Sequence, residues 1–219
     1  MIFEQLPAAV LWDMDGTLID SEPYWMSSER TFASANNSSW TEQDGLSLVG
    51  MSLYDSSKII KEKVGSDLDP EQIIQHLTDG VSSQLKQEIF WRPGAKELLL
   101  LLRKSKIKTA LVTMSMRRMA QQVADSVGFN AFDVIVAGDD VRHGKPHPEP
   151  YLKAAELLGV RPEDCVAFED SLTGLRSAEA ANTKAVGIKN IVEIPIAPGR
   201  ITWPTLEGVT INDLRELFK

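Results

Sequence analysis

Asp13 and Asp15 stand two residues apart at the end of the apolar run Ala8–Trp12 and are followed by Gly16 and Thr17. In a strand alternate side chains share a face, so the two carboxylates would project together, about 7 Å apart if the backbone stayed extended. Like charges that close repel, and a cation or a shared proton has to sit between them. Other apolar runs also close on polar groups. Thr109–Thr113 leads into Met114 and Ser115; Val134–Ala137 leads to Asp139, Asp140 and a loop with His143, Gly144, Lys145 and Pro146; Cys165–Phe168 ends in Glu169, Asp170 and Ser171.

In a doubly wound sheet, sites form at the carboxyl ends of strands where the strand order reverses. Asp13, Asp15, Glu169 and Asp170, the hydroxyls of Thr113 and Ser115, and the amine of Lys145 would converge there. Two like charges about 4 Å apart cost about 4 kcal/mol at an effective dielectric of about 20, more than one amine can balance across four acids. A divalent cation is therefore implied. Oxygen donors on a tight site indicate Mg²⁺, which keeps several waters and is commonly completed by a substrate phosphate. It is expected against Asp13, shared with Asp170.

Other readings of these residues are weaker. An EF-hand loop starting at Asp13 would place Leu18 where glycine is needed and Tyr24 where glutamate is needed. Asp13 or Asp15 alone could be a solvated strand-end charge, and Thr113 or Lys145 alone an ordinary strand hydroxyl or surface amine; their placement at successive strand ends argues otherwise. His143 and His147 resemble a metal pair, but Pro146 and Pro148 deny them a common helical face and no cysteine is near, so they are expected to be loop residues and not zinc ligands. His76, Asp139, Asp140 and Glu163 are expected to be solvated ends and caps.

The elements that must position this set can be traced along the chain. Short β-rich runs at Ala8–Trp12, Thr109–Thr113, Val134–Ala137, Cys165–Phe168 and Ala185–Ile188 alternate with helical patterns at Ala95–Lys104, Met116–Val127, Glu149–Leu158, Leu172–Ala181 and Ile211–Phe218. That alternation predicts an α/β fold, a doubly wound parallel sheet covered on both faces. Gly128 and Gly159 stand where left-handed helix caps are expected. A βαβ unit takes only about 30 residues, far fewer than separate the first two strands, so an insertion is expected there. Its signals are helical: Ser21 with Pro23, Ser52 with Asp55, Gly65 as a stop, and Asp69, Pro70 and Gln72 opening a run towards Phe90. The expected division is a core of residues 1–21 and 92–219 with a small helical cap domain over residues 22–91.

The 219 residues, 43% hydrophobic, suffice for one sizeable core plus an appended unit. A formal charge of -8 argues against a nucleic-acid surface, which needs clustered Lys and Arg. The single cysteine, Cys165, excludes an internal disulfide framework and fits a small buried core residue in a reducing compartment. The start, MIFEQLP, lacks a basic region followed by a long apolar stretch, and no apolar run approaches the roughly 20 residues that cross a bilayer. A cytoplasmic protein is expected, without nucleic-acid or membrane partners, acting as a monomer.

Taken together, "DMDGTLIDSE", "LVTMS", "GKPHPEPYLKAAELLGV" and "VAFEDSLTGLRSA", in this order and over most of the chain, resemble the haloacid dehalogenase superfamily of hydrolases with a helical cap, the group containing sugar-phosphate phosphatases and beta-phosphoglucomutase. The resemblance implies that Asp13 is a nucleophile forming an aspartyl-phosphate, and that Asp15 is the acid and base serving the leaving alcohol and the attacking water. It implies that Thr113 and Lys145 hold the transferring phosphoryl group, with help from the backbone amides of Met14, Asp15 and Met114. Asp170 is implied as a metal ligand beside Asp13 and the backbone carbonyl of Asp15, with Glu169 either a ligand or a partner of one.

What is implied is a Mg²⁺-dependent phosphatase acting on a small phosphorylated metabolite, a sugar or polyol phosphate. The mutase relatives carry a histidine after the first motif and an arginine in the cap, where Trp25 and Leu53 stand here, and neither can hold a substrate through inversion. Dehalogenating relatives lack the second aspartate, whereas Asp15 is present. A phospho-accepting signalling domain would share the sheet, a strand-end Asp and a later Lys, but would need no cap. Ser21, Glu22, Trp25, Leu53 and Lys58 are the cap candidates for substrate contact, with Trp25 and Trp91 also readable as core aromatics.

Overall fold

Ala9–Trp12 is buried at all four positions, as a central parallel strand covered on both faces requires. The computed structural model of the chain describes residues 6–219; most of the MIFEQLP segment, on which the expectation about a leader rests, lies outside them. In chain order the elements are β1 (Ala9–Trp12), α1 (Glu22–Ala35), α2 (Glu42–Leu46), α3 (Leu53–Val64), α4 (Pro70–Leu85), α5 (Ala95–Lys104), β2 (Lys108–Val112), α6 (Arg117–Asp125), β3 (Val134–Val136), α7 (Glu149–Leu158), β4 (Cys165–Glu169), α8 (Leu172–Ala180), β5 (Lys184–Ile188), β6 (Ile201–Trp203) and α9 (Ile211–Glu216).

The six strands form one sheet in the order β3-β2-β1-β4-β5-β6, and every pair is parallel. From β1 the chain moves outward through β2 and β3, then returns to pair β4 on the other side of β1. The order therefore reverses between β1 and β4, and the crevice beyond their carboxyl ends is where a doubly wound sheet collects its polar side chains. A layer under the sheet joins Leu11, Val112, Ala167, Tyr151, Ala154 and Leu158, so α7 is braced against the central strands. Cys165 is buried, as expected. Among the described residues no helix is long and apolar enough to cross a membrane.

The chain divides into two units, the stretch up to Ile19 with Trp91–Lys219, and Asp20–Phe90. In the inserted helical unit Phe32, Ile60, Ile73, Leu77 and Val81 make a separate core. Asp69 and Gln72 form a capping box at α4, Ser52 accepts the amide of Asp55 at α3, and Gly65 ends α3 in the left-handed conformation. Ser21, by contrast, adopts a helical backbone and its side chain makes no capping hydrogen bond, because a cap needs the extended backbone that aims its oxygen at the next amides.

Two elements were not foreseen. Short α2 opens on a Thr41–Asp44 capping box, a signal masked by its length and by Gly45. β6, three residues just before Pro204, pairs only with β5, where an edge tolerates a short strand. The helix expected over 116–127 is trimmed to Arg117–Asp125, with Ser126 as C-cap.

Candidate active site

The amide of Asp13 donates to the carbonyl of Phe168 at 3.0 Å, which continues the β1–β4 ladder one residue and sets the Asp13 carboxylate at the carboxyl edge of the sheet. The backbone then turns, with the amides of Leu18 and Ile19 returning to the carbonyl of Met14 at 2.9 and 3.0 Å. Gly16 takes φ +84°, the left-handed region open to glycine. The turn replaces the extended spacing expected for Asp13 and Asp15. Asp15 is drawn to the end of β2, where its Oδ2 accepts from Ser115 Oγ at 2.7 Å and Thr113 Oγ1 at 3.3 Å. Thr113 in turn accepts the Ser115 amide at 3.0 Å.

Lys145 is enclosed by acceptors. Its Nζ donates to Asp13 Oδ1 at 2.7 Å and to the Val112 carbonyl at 2.9 Å, and lies 2.6 Å from Glu169 Oε1. Three donors meet three acceptors, which is what a buried ammonium requires. Glu169 Oε1 also accepts from Tyr151 Oη at 2.5 Å, and Asp170 Oδ2 accepts from Asn190 Nδ2 at 2.8 Å. Met14 and Met114 stand two residues past the ends of β1 and β2, and Met114 Sδ accepts the Lys145 amide at 3.3 Å.

Asp13, Lys145, Glu169 and Asp170 are all at most 9% exposed, so three acids share one buried cation. Burial drives Asp170 up to about 7, with the charge of Asp13 the next cause. Burial and then Asp13 likewise push Glu169 up to about 8. Asp13 itself is raised by burial against the opposing pull of Lys145. Burial alone would lower Lys145, but the charges of Asp13 and Glu169 outweigh it and hold the ammonium protonated. The acids thus carry a deficit of positive charge.

The residues fit a hard divalent cation. Among the described residues the buried Asp13 Oδ2 finds no hydrogen-bond partner, and oxygens of Asp13, Glu169 and Asp170 lie within 4.8 Å of one another. Gly16 leaves the space open, since a Cβ there would stand 1.9 Å from Asp170 Oδ2 and 2.4 Å from Asn190 Nδ2. Gly16→Ala is therefore expected to lower the urea midpoint by the equivalent of about 1–2 kcal/mol from the left-handed backbone alone and to weaken the binding of a divalent cation measured by calorimetry. A variant with unchanged midpoint and affinity would contradict this packing.

Of the residues singled out in the sequence, Asp13, Lys145, Glu169 and Asp170 meet directly, while Asp15 and Thr113 form an adjoining group. Ser115, whose place at a strand end assigns it no role in the sequence, holds Asp15. Tyr151 was hidden as a helix aromatic. Asn190 lies two residues past β5 and could have been found by reading the fifth strand end as the others were read.

A family model described as haloacid dehalogenase-like hydrolase matches residues 7–182. A phosphorylated carbohydrates phosphatase of Thermotoga maritima is 31% identical over 179 residues, 81% of this chain and 83% of that protein. A fructose-1-phosphate phosphatase of Escherichia coli is 31% identical over 186 residues, 83% of this chain and 96% of its own. Among solved structures, a beta-phosphoglucomutase from Clostridium difficile superposes with a TM-score of 0.82 over 96% of both chains at 24% identity, a likeness of fold.

Proposed function

This chain belongs to the haloacid dehalogenase-like hydrolases, and from that premise we propose that it is a Mg²⁺-dependent phosphatase that hydrolyses a small sugar or polyol phosphate through an aspartyl-phosphate on Asp13. The observation that carries this reading is the Asp13 carboxylate: one oxygen bound to a buried ammonium, the other buried and without a hydrogen-bond partner among the described residues, at the point where the sheet reverses. Relatives named as carbohydrate and fructose-1-phosphate phosphatases support the substrate class.

A carboxylate oxygen of Asp13 bonds to phosphorus as the ester P–O bond breaks, and Asp15 gives its proton to the departing alcohol. Asp15 then takes a proton from water, whose oxygen bonds to phosphorus as the acyl-phosphate P–O bond breaks, freeing phosphate and restoring Asp13. Ser115 and Thr113 hold Asp15 in one orientation through these transfers. Lys145, kept charged by its acidic neighbours, offsets charge that spreads over the phosphoryl oxygens, and the amides of Met14, Asp15 and Met114 are further donors to them. Asp13, Asp170 and the Asp15 carbonyl would hold Mg²⁺. Bound Mg²⁺ supplies positive charge to the transferring group and its nucleophile. Glu169, whose Oε1 already serves Lys145 and Tyr151, positions the ammonium. A single buried Cys165 fits a reducing, cytoplasmic setting.

Assay of a panel of sugar and polyol phosphates with Mg²⁺ is expected to release inorganic phosphate, to stop with chelator and to resume when Mg²⁺ is restored. A hexose 1-phosphate should yield free sugar and phosphate. Conversion to the 6-phosphate without phosphate release would make the enzyme a mutase, and no release from any phosphomonoester would overturn the reading.

A further inference from the structure

Two of the three histidines in the chain flank the Lys145 loop, His143 on one side and His147 on the other. Proline spacing alone argues against a shared metal, but folding brings a third donor to them. Glu149, the first residue of α7, places Oε2 2.8 Å from His143 Nδ1, and the two imidazole rings lie 4.7 Å apart between centroids. One ligand atom from each of His143, His147 and Glu149 falls within 4.8 Å of the other two. We propose that His143, His147 and Glu149 form a transition-metal site, selective for Zn²⁺ over Mg²⁺, separate from the carboxylates around Asp13.

The donor set decides the ion. Two imidazole nitrogens and one carboxylate oxygen suit Zn²⁺, whereas Mg²⁺ prefers oxygen alone. The three protein ligands leave a fourth position for water. Zn²⁺ ligands about 2.0–2.1 Å from the metal stand roughly 3.4 Å apart in a tetrahedron, so donors that lie within 4.8 Å of one another have to close by at most about 1.4 Å. Both rings are exposed and can turn by that amount. Glu149 is already held: its Oε1 accepts the Arg142 amide at 2.8 Å and its Oε2 the His143 amide at 3.1 Å. Such outer hydrogen bonds fix a ligating carboxylate before the ion arrives. The ion would exchange the His143 ring contact for a coordinate bond and tie the loop on both sides of Lys145.

The test is zinc binding to the tag-free full chain, stripped with chelator and then saturated with Mg²⁺. A single zinc ion per chain is expected in the wild type and in Asp170→Asn, retained in excess Mg²⁺, with a rise in melting temperature. Affinity should fall at least about tenfold in His143→Asn and in His147→Asn, since even outer-shell changes cost that much. Co²⁺ in place of zinc should give the intense visible absorption of a four-coordinate site, lost in the same two variants. Zinc affinity unchanged in both histidine variants, loss of zinc in Asp170→Asn with retention in His143→Asn, or no zinc bound by the wild type would each overturn the proposal. None of these outcomes depends on the phosphatase reading.

Discussion

Asp13→Asn is expected to lower turnover by on the order of 10⁴-fold or more, while the folded protein remains at least as stable as the wild type. The amide is neutral and a poor nucleophile, so no acyl-phosphate can form on it. Structurally the change is mild. Lys145 keeps Glu169 and the Val112 carbonyl, and one of three crowded acids loses its charge. Burial raises Asp13 above its ordinary range, so the ionised group weakens the metal-free fold and its neutral replacement relieves that cost. Phosphate release at enzyme concentrations in excess of substrate, with urea unfolding in parallel, checks both parts. Full turnover would refute Asp13 as nucleophile; lost turnover with a collapsed fold would show that its role is structural.

Lys145→Met is the second large effect, and it should act on stability as well as on rate. Removing the cation leaves Asp13 and Glu169 facing each other unbalanced, and breaking a buried ion pair on one side costs about 3–5 kcal/mol. The cost should depend on pH. Glu169 stands at about 8 in the fold even with Lys145 present, above its unfolded value, so its protonation favours the native state. Without the ammonium the folded values rise further. Stability of the variant in chelator is therefore highest in mild acid and falls as pH rises through the carboxylate range towards 8 and beyond. Urea midpoints at acidic and alkaline pH measure this; a variant equally stable at both would show that the acids are not coupled through Lys145. Turnover should fall by about a thousandfold, the scale of removing a donor to developing charge.

The local parts of this site are legible because each follows directly from a strand. Ala9–Trp12 and the Cys165–Phe168 stretch of β4 are apolar runs buried at every position, and the polar residues that follow such a run are forced to the sheet's edge. Asp13, Glu169 and Asp170 can be placed in that way, and Lys145 follows from the loop after the third run. Partners fixed by packing across elements are not legible. Tyr151 looks like one more apolar contact of α7, and only the bracing of that helix under β1, β2 and β3 delivers its hydroxyl to Glu169. Asp15 shows its type but not its aim, because the turn at Gly16 redirects it to Ser115 and Thr113.

By itself the chain's sequence determined the alternation that makes a parallel sheet, the presence of a helical insertion, and which carboxylates and which amine stand at strand ends, since periodicity and strand termination are local properties. Tertiary structure alone decided the pairings: Lys145 with Glu169 and Asp13, and Asn190 with Asp170. Those contacts join residues on different elements, and their distances arise only when strand order and helix packing close the intervening loops.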